Sequence, residues 1–449
     1  MNRRISRRAF LAATAAGPAL VLLPAGRART YAANETIGIG IVGVGGMGGG
    51  NRKALSRIKG TKIIALCDVD RNRLPAALKD HAGARTYADY RKMIAEGKDI
   101  DAVMVSTPDH HHFPASMLAI KAGKAVSTEK PLTHSVWEAR QLAIAAREHK
   151  VATQHDHEGH ARDGLRRCVE WVQRGAIGAV TQVHIWTNRP IWPQGIPKRP
   201  ATRPVPNDLE WDLWIGPAPF RDYHAHLHAF AWRGWWDFGT GALGDMGCHF
   251  WDSTVWALKL GHPTTIEAVQ EGNSEETGPN WATVTYQFPA RGELPPVTVQ
   301  WWEGKKPKAD GKGKVQNMPP RPPDLEPDRK LPRNGSMFIG DKGTIVVADT
   351  ASPRLVPEAK MKAFEQPKPF LPRVGDHKRD WLNAIRTGKP AGSDFALYGG
   401  HLAEVVLLGN LAIRAGKKLD WDGEALEATN CPEAARFIRR EYRKGWDFS

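Results

Sequence analysis

Thr128-Glu129-Lys130-Pro131 sets an ammonium group directly after a short apolar run, Ala125–Ser127. Some eighty residues earlier, Gly43-Val44-Gly45-Gly46-Met47-Gly48 follows the apolar run Ile37–Val42. A strand that feeds a Gly-x-Gly-x-x-Gly loop and then a helix seats a dinucleotide pyrophosphate on backbone N–H groups. Asp68 ends the next apolar run, where a carboxylate accepts hydrogen bonds from the adenosine ribose hydroxyls. A carboxylate there repels a 2′-phosphate, which favours NAD over NADP. Arg71 and Arg73 follow closely and keep NADP as the lesser alternative. A lysine at the end of a later strand of the same sheet reaches the nicotinamide end. Far downstream, Asp245 and His249 stand four apart, so on a helix they share a face and point at one substrate. Hydride leaves a carbinol carbon only as the O–H loses its proton. A base with a nearby cation is the set that this chemistry uses.

These groups need a sheet to hold them. Residues 37–131 alternate short apolar runs with helical patterns, the signature of parallel strands with helical crossovers. Strands are expected at Ile37–Val42, Lys62–Cys67, Asp101–Ser106, Ala125–Ser127 and Lys150–Thr153. Helices are expected around Met47–Ile58, Tyr90–Glu96, Pro114–Ala122 and Ser135–His149. After the amphipathic stretch Arg162–Arg174 the pattern becomes β-type: Ala179–Trp186, Thr264–Glu271, Trp281–Phe288, Pro296–Trp302, Ser336–Gly340 and Thr344–Ala348. Short turns between such runs imply a largely antiparallel sheet. Gly304–Asn334 has no period and reads as an exposed insertion, and two helices close the chain at His377–Arg386 and Leu397–Ala415. The expected architecture is an α/β Rossmann domain with a parallel sheet, followed by an α+β domain with a largely antiparallel sheet. Its boundaries are an export signal at 1–33, a dinucleotide-binding domain at 34–155, a substrate and oligomerisation domain at 156–430, and a helical tail at 431–449.

The chain has 449 residues and a net charge of +15. Its first 33 residues hold six arginines and no acids, which leaves about +9 on the rest. Arg3, Arg4, Arg7 and Arg8 precede the alanine-rich apolar stretch Ala9–Leu23, and small residues follow at Ala28–Ala33. That is the order of an export signal, and Ser6-Arg7-Arg8-Ala9-Phe10-Leu11 is similar to the twin-arginine type. A periplasmic destination is expected, with NAD tightly bound before export. No apolar run reaches the roughly 18–20 residues of a bilayer span. No basic recognition helix or aromatic–basic motif points to nucleic acid. Cys67, Cys168, Cys248 and Cys431 lack metal-type spacing and read as structural thiols.

The order of motifs resembles the Gfo/Idh/MocA oxidoreductase family. Thr107-Pro108-Asp109-His110-His111-His112 stands where that family has Thr-Pro-Asn-x-x-His, and Ala122-Gly123-Lys124-Ala125-Val126 where it has an Ala-Gly-Lys-His-Val turn. Gly241-Ala242-Leu243-Gly244-Asp245-Met246-Gly247-Cys248-His249 and the following Phe250-Trp251-Asp252 are similar to its second-domain motif. The resemblance implies that Lys130 orients the substrate hydroxyl, His249 takes its proton and Asp245 binds a neighbouring hydroxyl or tunes the histidine. It places Glu129, Thr107, Pro108 and His112 along the cofactor cleft. Nicotinamide charge nearby is expected to depress the pKa of both Lys130 and His249.

Histidines cluster at 110–112, at His155 and His157, and at His224, His226 and His228. Alternating histidines can ligate zinc, but no cysteine or carboxylate pairing fixes a tetrahedral set, so no metal centre is expected. His155 and His157 follow the last expected Rossmann strand, where substrate contacts arise. Seventeen tryptophans are an excess, and Arg233, Trp235 and Trp236 form a candidate saccharide platform. The function expected is exported, NAD-retaining oxidation of a sugar, glycoside or polyol by a homo-oligomer, dimer or tetramer. Two other readings stay open: an NAD-dependent glycoside hydrolase that oxidises transiently, and a non-catalytic saccharide-binding protein.

Overall fold

The computed structural model describes residues 35–448. The export signal expected at 1–33 lies outside the described residues. The first domain is a six-stranded parallel sheet in the order β3-β2-β1-β4-β5-β6, from β1 (Ile37–Val42), β2 (Thr61–Cys67), β3 (Arg85–Tyr87), β4 (Ala102–Val105), β5 (Ala125–Glu129) and β6 (Thr153–Asp156). The order reverses between β1 and β4, which opens a crevice at their carboxyl ends. Period-two alternation splits the apolar residues between two faces. Ile39, Ile41, Ala102 and Met104 pack under Trp381, Leu382 and Ile385 of the helix His377–Thr387. Val103, Val105 and Val126 pack the other way, against Phe113, Leu142 and Phe395.

The expected strands and helices of this domain fall where the sequence places them, with one exception. The last strand runs Thr153–Asp156 and not Lys150–Thr153. Lys150 has φ 53° and ends the helix Val136–His149 in a left-handed cap, so extended structure starts only beyond it. The short helix Leu74–Asp80 and the edge strand β3 were not expected; β3 is three largely exposed residues with no apolar alternation.

The second domain is built on a ten-stranded sheet, β14-β13-β12-β7-β10-β9-β8-β15-β16, with β11 paired to β10. Its strands are β7 (Val180–Trp186), β8 (Thr265–Glu271), β9 (Trp281–Phe288), β10 (Val297–Pro307), β11 (Lys314–Gln316), β12 (Gly335–Gly340), β13 (Gly343–Ala348), β14 (Arg354–Val356), β15 (Leu419–Asp422) and β16 (Glu427–Ala428). The sheet is antiparallel except for β7 beside β10. The segment 304–334 is not wholly irregular: β10 continues to Pro307 and turns back through β11, and Asn317 and Leu325 are buried.

Two other expectations change. The tail is helical only at Ala435–Ile438, after a single turn at Pro432–Ala434. Arg443 donates its backbone N–H to Pro217 O and its side chain to Gly216 O at 2.9 Å, holding the tail in an extended course against the second domain. The stretch Phe395–Ala415 is apolar and long enough by composition to cross a bilayer. His401, Glu404, Asn410 and Arg414 interrupt it, and Gly400–Ala415 is a core helix packed on Val136–His149 and Gly241–Phe250. The four cysteines are buried and free.

Candidate active site

Gly43 (φ 84°) bends the chain out of β1 so closely that a Cβ there would meet Ser106 O at 2.5 Å. Gly48 lies on the Gly43 carbonyl, where a Cβ would stand 1.8 Å from that oxygen. Only glycine permits this tight loop, and the helix Gly46–Ser56 starts from it with its first residues, Gly46 and Met47, on the cavity wall, where unpaired N–H groups of a helix start can meet an anion. Asp68, at the end of β2, braces the loop: Oδ2 accepts the Val44 N–H at 2.9 Å and Oδ1 the Asp70 N–H at 3.0 Å. Burial raises its pKa, and Arg73 and these N–H groups only partly oppose that. Glu129 closes β5 and accepts Asn51 Nδ2 at 2.8 Å, tying the loop helix to the strand that carries Lys130. Burial, with Asp156 nearby, raises the Glu129 pKa.

A cavity of about 590 Å³ runs from this loop into the second domain. Gly43, Gly45, Gly46 and Met47 line it at one end, with Asp68, Thr107, Pro108, Glu129 and Lys130 along its length and Arg233, Asp245 and Met246 at the other end. Lys130 Nζ donates to Asp245 Oδ1 at 2.8 Å, and Arg233 Nε to the same oxygen at 3.3 Å. Burial works to lower the Lys130 pKa, but the Asp245 and Glu129 carboxylates outweigh it and hold it above the usual lysine value. The expected depression of this pKa is therefore not produced by the protein's own groups. Burial works to raise Asp245, and Lys130 and Arg233 reverse it, keeping the carboxylate ionised. His249 follows one turn later on the helix Gly241–Phe250, half-buried and behind the residues that line the cavity, next to the Met246 and Asp245 that do; burial first and Lys130 second push its pKa down to about 3. The imidazole is neutral at ordinary pH.

Other expected site residues stand elsewhere. His112 does not line the cleft: its ring is clamped between Pro131 O at 2.6 Å and Thr107 O at 2.9 Å, behind the wall. His155 lies inside β6 and His157 just after it; both are fully buried and away from the cavity, because the strand starts three residues later than expected. Trp235 and Trp236 are not a platform. Trp235 is 0% exposed within a cluster with Trp214 and Phe238, and Trp236 packs into the second-domain core while donating to Asn273 Oδ1 at 3.1 Å. Arg233 does face the cavity. Its guanidinium lies over Trp232 at 4.3 Å and Phe230 at 5.0 Å, with Trp192 at 5.9 Å.

The cleft also holds groups with no expected role. Asp109 accepts the Thr240 N–H at 3.0 Å and hydroxyl at 2.7 Å, and burial pushes its carboxyl up to about 7. His228 Nε2 stands 2.9 Å from Asp70 Oδ2. Trp446, from the tail, lies under the Arg91 guanidinium at 4.1 Å and lines the cavity beside Tyr90. Asp109 stands in the Thr107–His112 motif and His228 among the alternating histidines, whereas Trp446 gave no signal beyond an aromatic residue in an aperiodic tail.

Comparison with known proteins follows the same division. A family model described as an oxidoreductase family, NAD-binding Rossmann fold, matches residues 37–157, and its companion, a C-terminal alpha/beta domain, matches 173–294. Inositol 2-dehydrogenase of Rubrobacter xylanophilus is 34% identical over 113 residues, 25% of this chain and 32% of that protein. Inositol 2-dehydrogenase 3 of Saccharopolyspora erythraea is 31% identical over 161 residues, 35% of this chain and 47% of that protein. Both matches span less than half of the relative's own length. The solved structure of the WlbA dehydrogenase from Bordetella pertussis, in complex with NADH and UDP-GlcNAcA, superposes with TM-score 0.58 at 19% identity, covering 86% of this chain and 99% of that one. An aldose-aldose oxidoreductase from Caulobacter crescentus superposes with TM-score 0.56 at 16% identity, over 86% and 100%. At such identities the structures speak for the fold.

Proposed function

This chain belongs to the Gfo/Idh/MocA oxidoreductase family, and on that premise we propose that it oxidises a secondary alcohol of a sugar, glycoside or polyol with a retained NAD. The observation that carries the reading is the Lys130–Asp245–Arg233 cluster in the same cavity as the glycine loop. NAD, when bound, supplies the hydride acceptor. The residues present fit it: the loop Gly43–Gly48 is too tight for any Cβ at Gly48, and the first N–H groups of its helix suit a pyrophosphate. Each Asp68 oxygen spends one lone pair on the backbone and keeps another for a ribose hydroxyl, which favours NAD over NADP.

Lys130 has three donors and gives one to Asp245, so two are left for a substrate oxygen and the charge that develops on it. His249, neutral, accepts the hydroxyl proton. Burial and the neighbouring Lys130 keep its imidazole neutral, the form that can accept a proton as the carbinol carbon is oxidised. The exposed ring of Phe230 and the Arg233 guanidinium, itself backed by the buried Trp232 and Trp192, offer an apolar face and a cation to a sugar ring. Export of the folded holoprotein by the twin-arginine-type signal, and homo-oligomerisation, belong to the same proposal.

The test begins with protein purified from cells and denatured: its supernatant is expected to contain about one equivalent of NAD per chain, by the tight retention proposed. The holoprotein is then incubated with polyols, aldoses and nitrophenyl glycosides while cofactor absorbance is followed. Lys130→Ala is expected to lose at least about a hundredfold in turnover and to keep its NAD. Near wild-type turnover in that variant, or protein free of dinucleotide, overturns the reading. Nitrophenol release with no lasting reduction of the cofactor assigns the redox-neutral cleavage instead.

A further inference from the structure

Behind the cleft, between β6 and the helix Asp252–Leu258, lies a second polar cluster that the proposed oxidation does not use. His157, His160 and Asp252 are all buried, and one ligand atom from each lies within 4.8 Å of the others. His160 Nδ1 stands 3.0 Å from Asp252 Oδ1, and His157 Nε2 stands 3.3 Å from Asp252 Oδ2. His160 Nδ1 also lies 3.2 Å from Oδ2, so two separations meet at that one oxygen, and both are close to the roughly 3.3 Å edge of a tetrahedron around an ion bonded at about 2.0–2.1 Å. Without the ion, His160 donates its Nδ1–H to the carboxylate, a proton that leaves when a metal takes that nitrogen.

The hydrogen bonds around His157 sharpen the point. Its Nδ1 lies 3.1 Å from the His155 carbonyl, which can only accept, so Nδ1 carries the proton. In the neutral ring Nε2 then presents a lone pair, and it faces a carboxylate oxygen without the geometry of a hydrogen bond. Two acceptors turned on each other in a dry site repel unless a positive charge stands between them. Asp252 already receives the Tyr398 hydroxyl at 2.5 Å, and the neighbouring His155 ring, 4.5 Å from His157 between centroids, has both nitrogens buried without a hydrogen bond.

We propose that His157, His160 and Asp252 bind a divalent transition-metal ion, zinc by the type of its donors. Two imidazoles and a carboxylate suit zinc and exclude calcium and magnesium, which take oxygen ligands. The ion ties the loop after β6 in the first domain to the start of a helix in the second. The sequence shows two histidines three residues apart, but their carboxylate partner lies some ninety residues on and no spacing rule joins them.

The experiment uses the full-length holoprotein carrying no polyhistidine tag. After equilibration with zinc chloride and gel filtration through a weak chelator, elemental analysis is expected to give about one zinc per chain. His157→Asn and Asp252→Asn are each expected to fall below about a tenth of an equivalent. Cobalt(II) in place of zinc is expected to give the intense visible bands of a tetrahedral site. Anomalous diffraction from wild-type crystals at the zinc edge locates the ion independently, should either variant fail to fold. Wild-type protein without zinc after equilibration, or zinc located elsewhere, overturns the proposal and leaves the cluster as a protonated histidine–carboxylate network.

Discussion

Single residues act here through what surrounds them. Lys130 was legible because a lysine at the end of a buried strand has little to do except reach a ligand. Its electrostatics were not legible, since Asp245 and Arg233 come from more than a hundred residues away. Glu303 shows the same dependence on context. It is buried, accepts the Trp301 indole N–H at 2.8 Å, and burial pushes its carboxyl from 4.5 up to about 8. The native state keeps a proton that the unfolded chain releases, so stability falls as pH rises between about 4.5 and 8 and then levels off. The loss is on the order of a few kcal/mol. Glu303→Gln is expected to raise the melting temperature at pH 8 and to leave it nearly unchanged at pH 4.5, as differential scanning calorimetry would show; equal shifts at both pH values would refute the assignment.

Elements were readable in proportion to how regular they are. The glycine loop, the parallel strands and the helices between them carry their own period, and they fall within a few residues of expectation. The roof of the cleft, residues 187–240, carries almost none. Its course is set by side chains meeting backbone, as where His110 and His111 both approach the Trp214 carbonyl at 2.9 Å. That is why Trp235 and Trp236 could not be told from cavity residues: adjacent indoles in an aperiodic stretch do not announce which way they point. The corrected placement makes a sharp comparison. Trp235→Ala is expected to cost about 3–5 kcal/mol of stability, as for a buried aromatic. Phe230→Ala, at an exposed ring beside Arg233, is expected to raise KM several-fold, for contacts of about 1 kcal/mol, with little change in melting temperature. Paired melting curves and saturation kinetics check both, and a stable Trp235→Ala protein would return that indole to the surface.

At the scale of the whole molecule the two domains are not independent. Trp446 of the tail closes one flank of the cofactor cavity, and Tyr442 reaches Glu138 Oε1 at 2.8 Å in the first domain. Removing residues 440–448 is expected to leave the protein folded but to strip most of its NAD during gel filtration; undiminished NAD would show that the tail does not hold it. The helix His377–Thr387 has a different consequence, one of timing. It completes a face of the six-stranded sheet that Leu55, Ile58 and Ala77 of earlier helices only partly cover, yet the ribosome delivers it more than three hundred residues after β1. At about 5–20 residues per second the part of that face under Trp381, Leu382 and Ile385 waits for tens of seconds. During that interval it is open to other apolar surfaces, which makes the nascent chain a candidate client for a chaperone. Slower translation of the segment before residue 377 is therefore expected to lower the yield of native protein without changing its final stability.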